Sequence, residues 1–206
     1  VINHPTSLRN VNEKLFATHF LECTAPSMVS RKKQILDDFI DEHKEIVIKP
    51  LDGMAGDYIF HVRHNDLNRN VIIETMTHMG HRTVLAQKFI AAYKAGDKRI
   101  LLIDGEPVSH ALLRVPVEGE LRANLAKGGM AKGAELSERD RWICKQLKPE
   151  LVAMQLDFVG IDVIGDFLTE VNITSPTGIR ELDKMYNLNI CATLFDSIET
   201  RLNLIQ

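Results

Sequence analysis

The stretch Phe158–Asn172 constrains this chain more than any other part of it. Two apolar, β-branched runs, Asp157–Ile164 and Phe167–Ile173, flank Gly165-Asp166, a dipeptide that reads as a tight hairpin turn. Inside these runs lie Asp162, Glu170 and Asn172. A buried carboxylate is costly unless it is paired or bound to a metal. Glu170 and Asn172 are two apart and so share one face of a strand. A two-residue turn in strict register pairs Asp162 with Thr169 and puts Asp162 on the opposite face from Glu170. An odd loop or a single bulge brings all three to one face, and the reading requires one of these. Oxygen donors of this kind suit a hard cation such as Mg²⁺. The alternative is a polar strand face paired with Lys or Arg.

The rest of the chain mixes helical and strand patterns without repeats. Apolar spacing predicts helices over Val11–Leu21, Arg31–His43, Leu67–Met76, Ser137 towards Met154, and Ile190–Leu204. Asn10 with Glu13 resembles a capping box for the first, and Ser137 with Asp140 opens the fourth. Ile35, Leu36, Phe39 and Ile40 fall on one face of the second. Strands are expected at Glu45–Lys49, Tyr58–Val62, Thr83–Ile90, Lys98–Ile103 and Pro107–Val115, with Asp104-Gly105 as a second hairpin turn. Pro116–Ala134 lacks periodicity and reads as a long loop. Hairpins grouped between helices indicate α+β layers, with an Arg31–Ile90 lobe beside a larger Lys98–Gln206 lobe.

Several classes are excluded early. Lys plus Arg number 25 and Asp plus Glu 28, a net charge of −3, so the basic excess of a general nucleic-acid binder is missing. No apolar run approaches the ~20 residues of a membrane span. The 3 cysteines, Cys23, Cys144 and Cys191, form no Cys-x-x-Cys pair and read as core fillers in a soluble cytoplasmic protein that keeps its thiols reduced. His61 with His64 and His78 with His81 have ligand-like spacing but no supplementing Cys or Glu, and read as surface or loop histidines. A metal-binding protein built on them is the weakest functional alternative. No nucleophile elbow and no Walker or dinucleotide glycine loop occurs. The chain opens on Val1-Ile2-Asn3 with no initiator Met, as a piece of a longer protein would.

Three further segments carry chemistry. In Lys49-Pro50-Leu51-Asp52-Gly53-Met54-Ala55-Gly56, a strand delivers a lysine into a glycine-bearing loop. Backbone N–H groups and a point charge there suit phosphate, or the segment is a plain turn with an exposed Lys. Among the basic residues Lys98, Arg99, Arg114, Arg122, Lys127, Lys132 and Arg180, Arg114 stands out because it lies in an apolar run. Arg suits a bidentate grip on carboxylate or phosphate. Lys127-Gly128-Gly129-Met130-Ala131-Lys132-Gly133 is either a lid that closes over phosphates or a loose surface loop.

Taken in order, several segments are similar to the ATP-grasp superfamily and, within it, to the bacterial glutathione synthetases. They are Asn12-Glu13-Lys14-Leu15-Phe16, Ile48 to Met54, Gly96-Asp97-Lys98-Arg99, Asp104-Gly105-Glu106-Pro107, Arg122-Ala123-Asn124-Leu125-Ala126 with Gly128-Gly129, and Phe158-Val159-Gly160 through to Arg180. The resemblance covers essentially all 206 residues. It implies an α+β ATP-grasp fold of two mostly antiparallel lobes clasping a nucleotide. Residues 1–22 would end a preceding domain, 23–96 form the small lobe, and 97–206 the large lobe with a lid loop at 116–134.

The implied activity is ATP-dependent formation of glutathione from γ-glutamylcysteine and glycine through an acyl phosphate, with Mg²⁺ or Mn²⁺. By resemblance, Lys14, Lys49 and Gly53 contact ATP phosphates. Gln87, Lys88, Phe89 and Ile90 receive adenine, with Asp97 near the ribose. Asp162, Glu170 and Asn172 hold the metal. Arg99, Arg114, Arg122 and Asn124 line the acyl-phosphate side, and Thr174, Ser175 and Thr177 sit near the peptide substrates. A homo-oligomer is implied, with neither nucleic acid nor membrane as partner. Ala55 stands where the family's phosphate loop commonly has Gly, and Met130 where its lid has Arg, which leaves Lys132 to supply the lid's charge. The family's N-terminal domain, which completes the peptide site, is not matched. Other readings are a different carboxylate–amine ligase of the same fold, glutamate-adding or D-alanine-joining, and a nucleotide-binding module made inactive by truncation.

Overall fold

The computed structural model describes residues 1–53, 56–117, 119–120 and 128–203. Arg122, Asn124, Lys127 and Ala55 therefore lie outside the described residues.

The chain begins with two short helices, α1 (Pro5–Asn10) and α2 (Glu13–Ala17). One helix over Val11–Leu21 had been expected, capped by Asn10. Instead Val11 is extended, and Asn12 caps α2 by accepting from the Lys14 and Leu15 amides at 3.1 and 3.0 Å. Two apolar residues, Phe16 and Ala17, are buried by this short helix, and the chain turns after it.

A first sheet holds β1 (Ser27–Ser30), β2 (Glu45–Pro50), β3 (Phe60–Arg63) and β4 (Val84–Lys88) in the antiparallel order β1-β4-β2-β3. Its strands alternate. Ile46, Ile48, Val84 and Ala86 meet Leu36, Phe39 and Ile40 of α3 (Lys33–His43) and Ile73 and Met76 of α4 (Arg69–Met76) in one core cluster. Ile35, expected on that face, is 37 % exposed, since the face turns by one residue. Val47, Lys49, Gln87 and Phe89 have the opposite parity and line a cavity.

The second sheet holds β5 (Asp97–Ile103), β6 (Glu106–Pro107), β7 (His110–Val115), β8 (Met130–Glu135), β9 (Phe158–Ile164) and β10 (Phe167–Asn172), with main order β10-β9-β5-β7-β8 and β6 paired to β5. The short 3₁₀ segment Ala91–Ala95 links the two sheets. Asp104-Gly105 turns as the sequence indicates, both residues having positive φ, 52° and 76°. Residues 130–134, expected within the loop 116–134, form β8 together with Glu135, an edge strand paired with β7 from Val115↔Met130 to His110↔Glu135. Tyr186 lies where a Cβ at Gly133 would fall, and its ring stacks on His110 with centroids 3.7 Å apart. This packing gives a glycine-bearing run enough contact to hold as a strand.

One face of this sheet (Ile100, Leu102, Val159, Ile161, Val163, Leu168) packs on Ile143, Leu147 and Leu151 of α5 (Glu138–Ala153). The capping box is as expected: Asp140 N donates to Ser137 Oγ at 3.1 Å, and Ser137 N to Asp140 Oδ2 at 2.9 Å. On the other face, Leu101, Ile103 and Leu112 pack against α6 (Ile179–Tyr186) and α7 (Ile190–Asn203). No helix had been expected at α6. Cys23 and Cys144 are buried, as core fillers should be, but Cys191, at the start of α7, is exposed. Among the described residues no helix is long and apolar enough to cross a membrane.

Candidate functional site

The expected irregularity is present in β10. Phe167 pairs with Ile164 across a two-residue turn and Leu168 with Val163, but Glu170 then pairs with Asp162. Thr169 is thus a bulge, and it brings Asp162, Glu170 and Asn172 to one face. Register supplies the neighbours. Arg99 on β5 sits opposite Asp162 on β9, and Arg114 on β7 sits opposite Asp97 on β5.

The result is a compact charge network. Arg99 grips the Asp162 carboxylate with Nε at 2.5 Å and Nη2 at 2.9 Å, and Arg114 Nη2 reaches the same group at 2.9 Å. Arg114 also donates to Asp97 Oδ2 at 2.5 Å, and Asn172 Nδ2 to Asp162 Oδ2 at 3.2 Å. Burial would raise the Asp162 carboxyl, but the two guanidiniums outweigh it and hold the group well below the usual carboxylate range. For Asp97 burial wins, and its pKa is pushed up to about 6. Asp97 Oδ1 and Arg114 Nε are buried without a hydrogen-bond partner. Asp97, expected near a ribose, is thus held on Arg114 by one oxygen only. Gly160 makes the arrangement fit: a Cβ there would stand 2.7 Å from Pro176 Cβ and 2.9 Å from Arg99 Cδ.

The facing wall comes from the first sheet and α2. Lys49 is 9 % exposed and donates to Gln87 Oε1 at 3.0 Å, while Gln87 Nε2 donates to Ser27 Oγ at 3.1 Å. Burial pushes the Lys49 ammonium pKa down. Lys14 crosses between the walls, donating to the Gly53 carbonyl at 2.5 Å and pairing with Glu170 Oε1 at 3.1 Å. The first-sheet rim carries Lys88, Phe89 and Ile90, and Phe89 is backed by His61, stacked at 4.0 Å. Thr174, Ser175 and Thr177 are exposed on the second-sheet rim, Ser175 with φ 48°. Together the walls enclose a cavity of about 530 Å³. Buried cations on one side and an acid–guanidinium cluster on the other suit a polyanion bound with a divalent cation.

The structure also places residues here that the sequence did not mark. Glu13 lines the cavity and accepts from the Ile173 amide at 3.2 Å, tying α2 to the end of β10. Burial first, then the Glu170 charge, raises its pKa. Tyr93, Pro176 and Glu181 also line the cavity. The sequence had marked Glu13 only as a capping-box partner of Asn10 and as a neighbour of Lys14. Lys132 and Arg180, marked as basic candidates, are exposed, and Lys98 faces away, pairing with Asp140 at 2.5 Å. Among the described residues no group of three His, Cys, Asp or Glu is placed to hold a metal ion, and His61, expected at the surface or in a loop, lies on β3 against Phe89.

Two antiparallel sheets closing on a cavity with these walls define the ATP-grasp fold. Solved structures agree: an ATP-grasp ligase, PsnB, complexed with a phosphomimetic variant of its minimal precursor, Mg and ADP, aligns at TM-score 0.69 and 17 % identity over 98 % of this chain and 62 % of that one. D-alanine–D-alanine ligase from Bacillus anthracis, complexed with ATP, aligns at 0.62 and 17 % over 93 % of this chain and 66 % of that one. The chain belongs to the prokaryotic glutathione synthetase family, whose ATP-grasp domain model matches residues 13–187. It is 52 % identical to the glutathione synthetase of Coxiella burnetii over 201 residues, 98 % of this chain and 63 % of that protein. To the glutathione synthetase of Xanthomonas campestris it is 54 % identical over 199 residues, again 63 % of that protein. The chain therefore spans just under two thirds of the length of these relatives.

Proposed function

We propose that this chain carries the nucleotide-binding and phosphoryl-transfer machinery of an ATP-dependent ligase that joins γ-glutamylcysteine to glycine, releasing ADP and phosphate. The observation that carries this reading is the bulged β9–β10 hairpin, which lays Asp162, Glu170 and Asn172 beside Arg99 and Arg114 and across from Lys14 and Lys49. Similarity to glutathione synthetases over almost the whole chain supports the choice of substrates.

In this reading Lys14, Lys49 and the backbone at Gly53 bind the phosphates. Gln87 braces Lys49, and Lys88, Phe89 and Ile90 take the adenine. Asp97, which lines the cavity beside Arg114, would sit near the ribose. The donor set fits a hard divalent cation. Glu170 has Lys14 as its charge partner, and Asn172 offers a neutral oxygen; Asp162 would share its carboxylate with the two arginines. Mg²⁺ or Mn²⁺ bound there would screen phosphate charge.

The substrate carboxylate attacks the γ-phosphorus, giving an acyl phosphate and ADP. The amine of glycine then attacks the acyl carbon, and inorganic phosphate leaves. Arg99 and Arg114, held in place by Asp162, stabilise charge on the transferring phosphoryl group and on the tetrahedral oxyanion. Arg122 and Asn124 would add to this side, and Thr174, Ser175 and Thr177 would meet the peptide substrate. Residues 23–96 and 97–206 act as the two lobes of the clasp. The free, buried thiols of Cys23 and Cys144 suit a reducing cytoplasm.

Phosphate release from ATP tests the proposal. Release is expected with γ-glutamylcysteine plus glycine, and not with D-alanine or with glutamate as the amine. Release with either of those and none with glycine would reassign the substrates.

A further inference from the structure

Two side chains can share a strand face only if their parity allows it, and here parity is broken by one residue. The turn after β9 has two residues, so an unbroken ladder would set Thr169 opposite Asp162 and Glu170 on the far face. The observed pairs are Leu168↔Val163 and Glu170↔Asp162, so Thr169 is the extra residue. An extra residue leaves ladder groups unpaired, and a bulge persists only where something else takes them.

Two contacts do so. Thr169, 6 % exposed, donates its hydroxyl to the main-chain carbonyl of Asp162 at 3.1 Å. On the outer side the Leu168 amide donates to the Cys23 carbonyl at 2.8 Å, where Thr24 bridges Leu168. Arg139 closes the outside, donating from Nε to the Asp166 carbonyl at 3.0 Å and from Nη2 to the Glu22 carbonyl at 2.6 Å. The inner contact falls on the residue whose carboxylate must share a face with Glu170.

We propose that Thr169 is a positioning residue for the divalent cation: its hydroxyl locks the bulge that sets Asp162, Glu170 and Asn172 on one face, without itself being a ligand. This rests on the assignment of those three residues as cation donors. Thr169 also lines the cavity, but its hydroxyl hydrogen goes to the Asp162 carbonyl, so its loss alters the spacing of the donors and not their number.

The test is Mn²⁺ binding to the chain, followed by electron paramagnetic resonance, in the presence of a non-hydrolysable ATP analogue. Thr169→Val keeps the shape and removes the donor; Thr169→Ser keeps the donor. Thr169→Val should weaken Mn²⁺ binding about five- to tenfold, the effect of one lost hydrogen bond. Thr169→Ser should bind as the parent does, and metal-free nucleotide affinity should be unchanged in both. If the valine variant does not fold, Thr169→Ala gives the same reading. Parent-like Mn²⁺ affinity in the hydroxyl-less variant, or equal weakening in the serine variant, would overturn the proposal. Glu170→Gln is the control: if it binds Mn²⁺ as the parent does, the donor assignment itself fails, whatever the Thr169 variants show.

Discussion

Lys49 shows at the scale of one residue how this chain trades stability for chemistry. An ammonium buried against an amide oxygen loses hydration that Gln87 returns only in part, hence its depressed pKa. Lys49→Met, of similar length, is expected to leave the melting temperature of the nucleotide-free chain unchanged or higher while weakening ATP binding at least about tenfold, the cost of one charge-assisted phosphate contact. Calorimetry and nucleotide titration on the same preparation check both halves. His61 gives a second prediction. It stacks behind Phe89 with Glu45 at 3.5 Å and Arg63 nearby, and burial lowers its pKa. The unfolded chain therefore binds this proton more readily than the folded one, and stability falls as pH drops below about 6.5 towards the depressed value. His61→Phe should keep the stack and reduce that fall, seen as a smaller loss of melting temperature between neutral pH and pH 5.5 than in the parent.

Among the elements, α5 anchors the second sheet through one buried carboxylate. Asp140 is fully buried, completes the capping box with Ser137 and pairs with Lys98, the β5 neighbour of Arg99. Ser137→Ala should cost about 1 kcal/mol as a lost cap, and Asp140→Ala about 3 kcal/mol, because it also strands Lys98. Urea denaturation measures both. The elements that could be read from the sequence are those with a long, unbroken period. The β9–β10 hairpin followed from its pattern and turn, and its irregularity from parity together with the reading that Asp162 and Glu170 share a face. The α5 cap followed from Ser137 and Asp140. What could not be read depends on partners distant in sequence. In α6 Leu182 is buried with Ile179 and Tyr186 packed beside it, a short stripe that the second sheet covers. β8 needs Tyr186 over Gly133. Asn12 displaced Asn10 as the cap of α2 because its Nδ2 also reaches the Leu51 carbonyl at 2.9 Å. Glu13 joined the site through that same short helix. Arg99 and Arg114 were marked by type and setting, but their shared grip on Asp162 is a matter of register across three strands.

For the whole molecule, the first sheet packs on α3 and α4, the second packs one face on α5 and part of the other on α6 and α7, the charged remainder of that face meets the first sheet across the cavity, and α2 stitches the two together. Asn12 holds the loop after β2, Lys14 holds Gly53 and Glu170, and Glu13 holds the end of β10. Such a clasp should tighten when a ligand bridges both walls. Under the proposed function, a triphosphate and a divalent cation are gripped together between these faces. Calorimetric titration of a non-hydrolysable ATP analogue into the chain, with and without Mg²⁺, and again into Glu170→Gln, tests it most directly. Strong binding to the parent is expected only with Mg²⁺, with loss of the Mg²⁺ effect in the variant and little change in melting temperature. Binding that is equally tight without Mg²⁺, or a Mg²⁺ effect that survives Glu170→Gln, would contradict it.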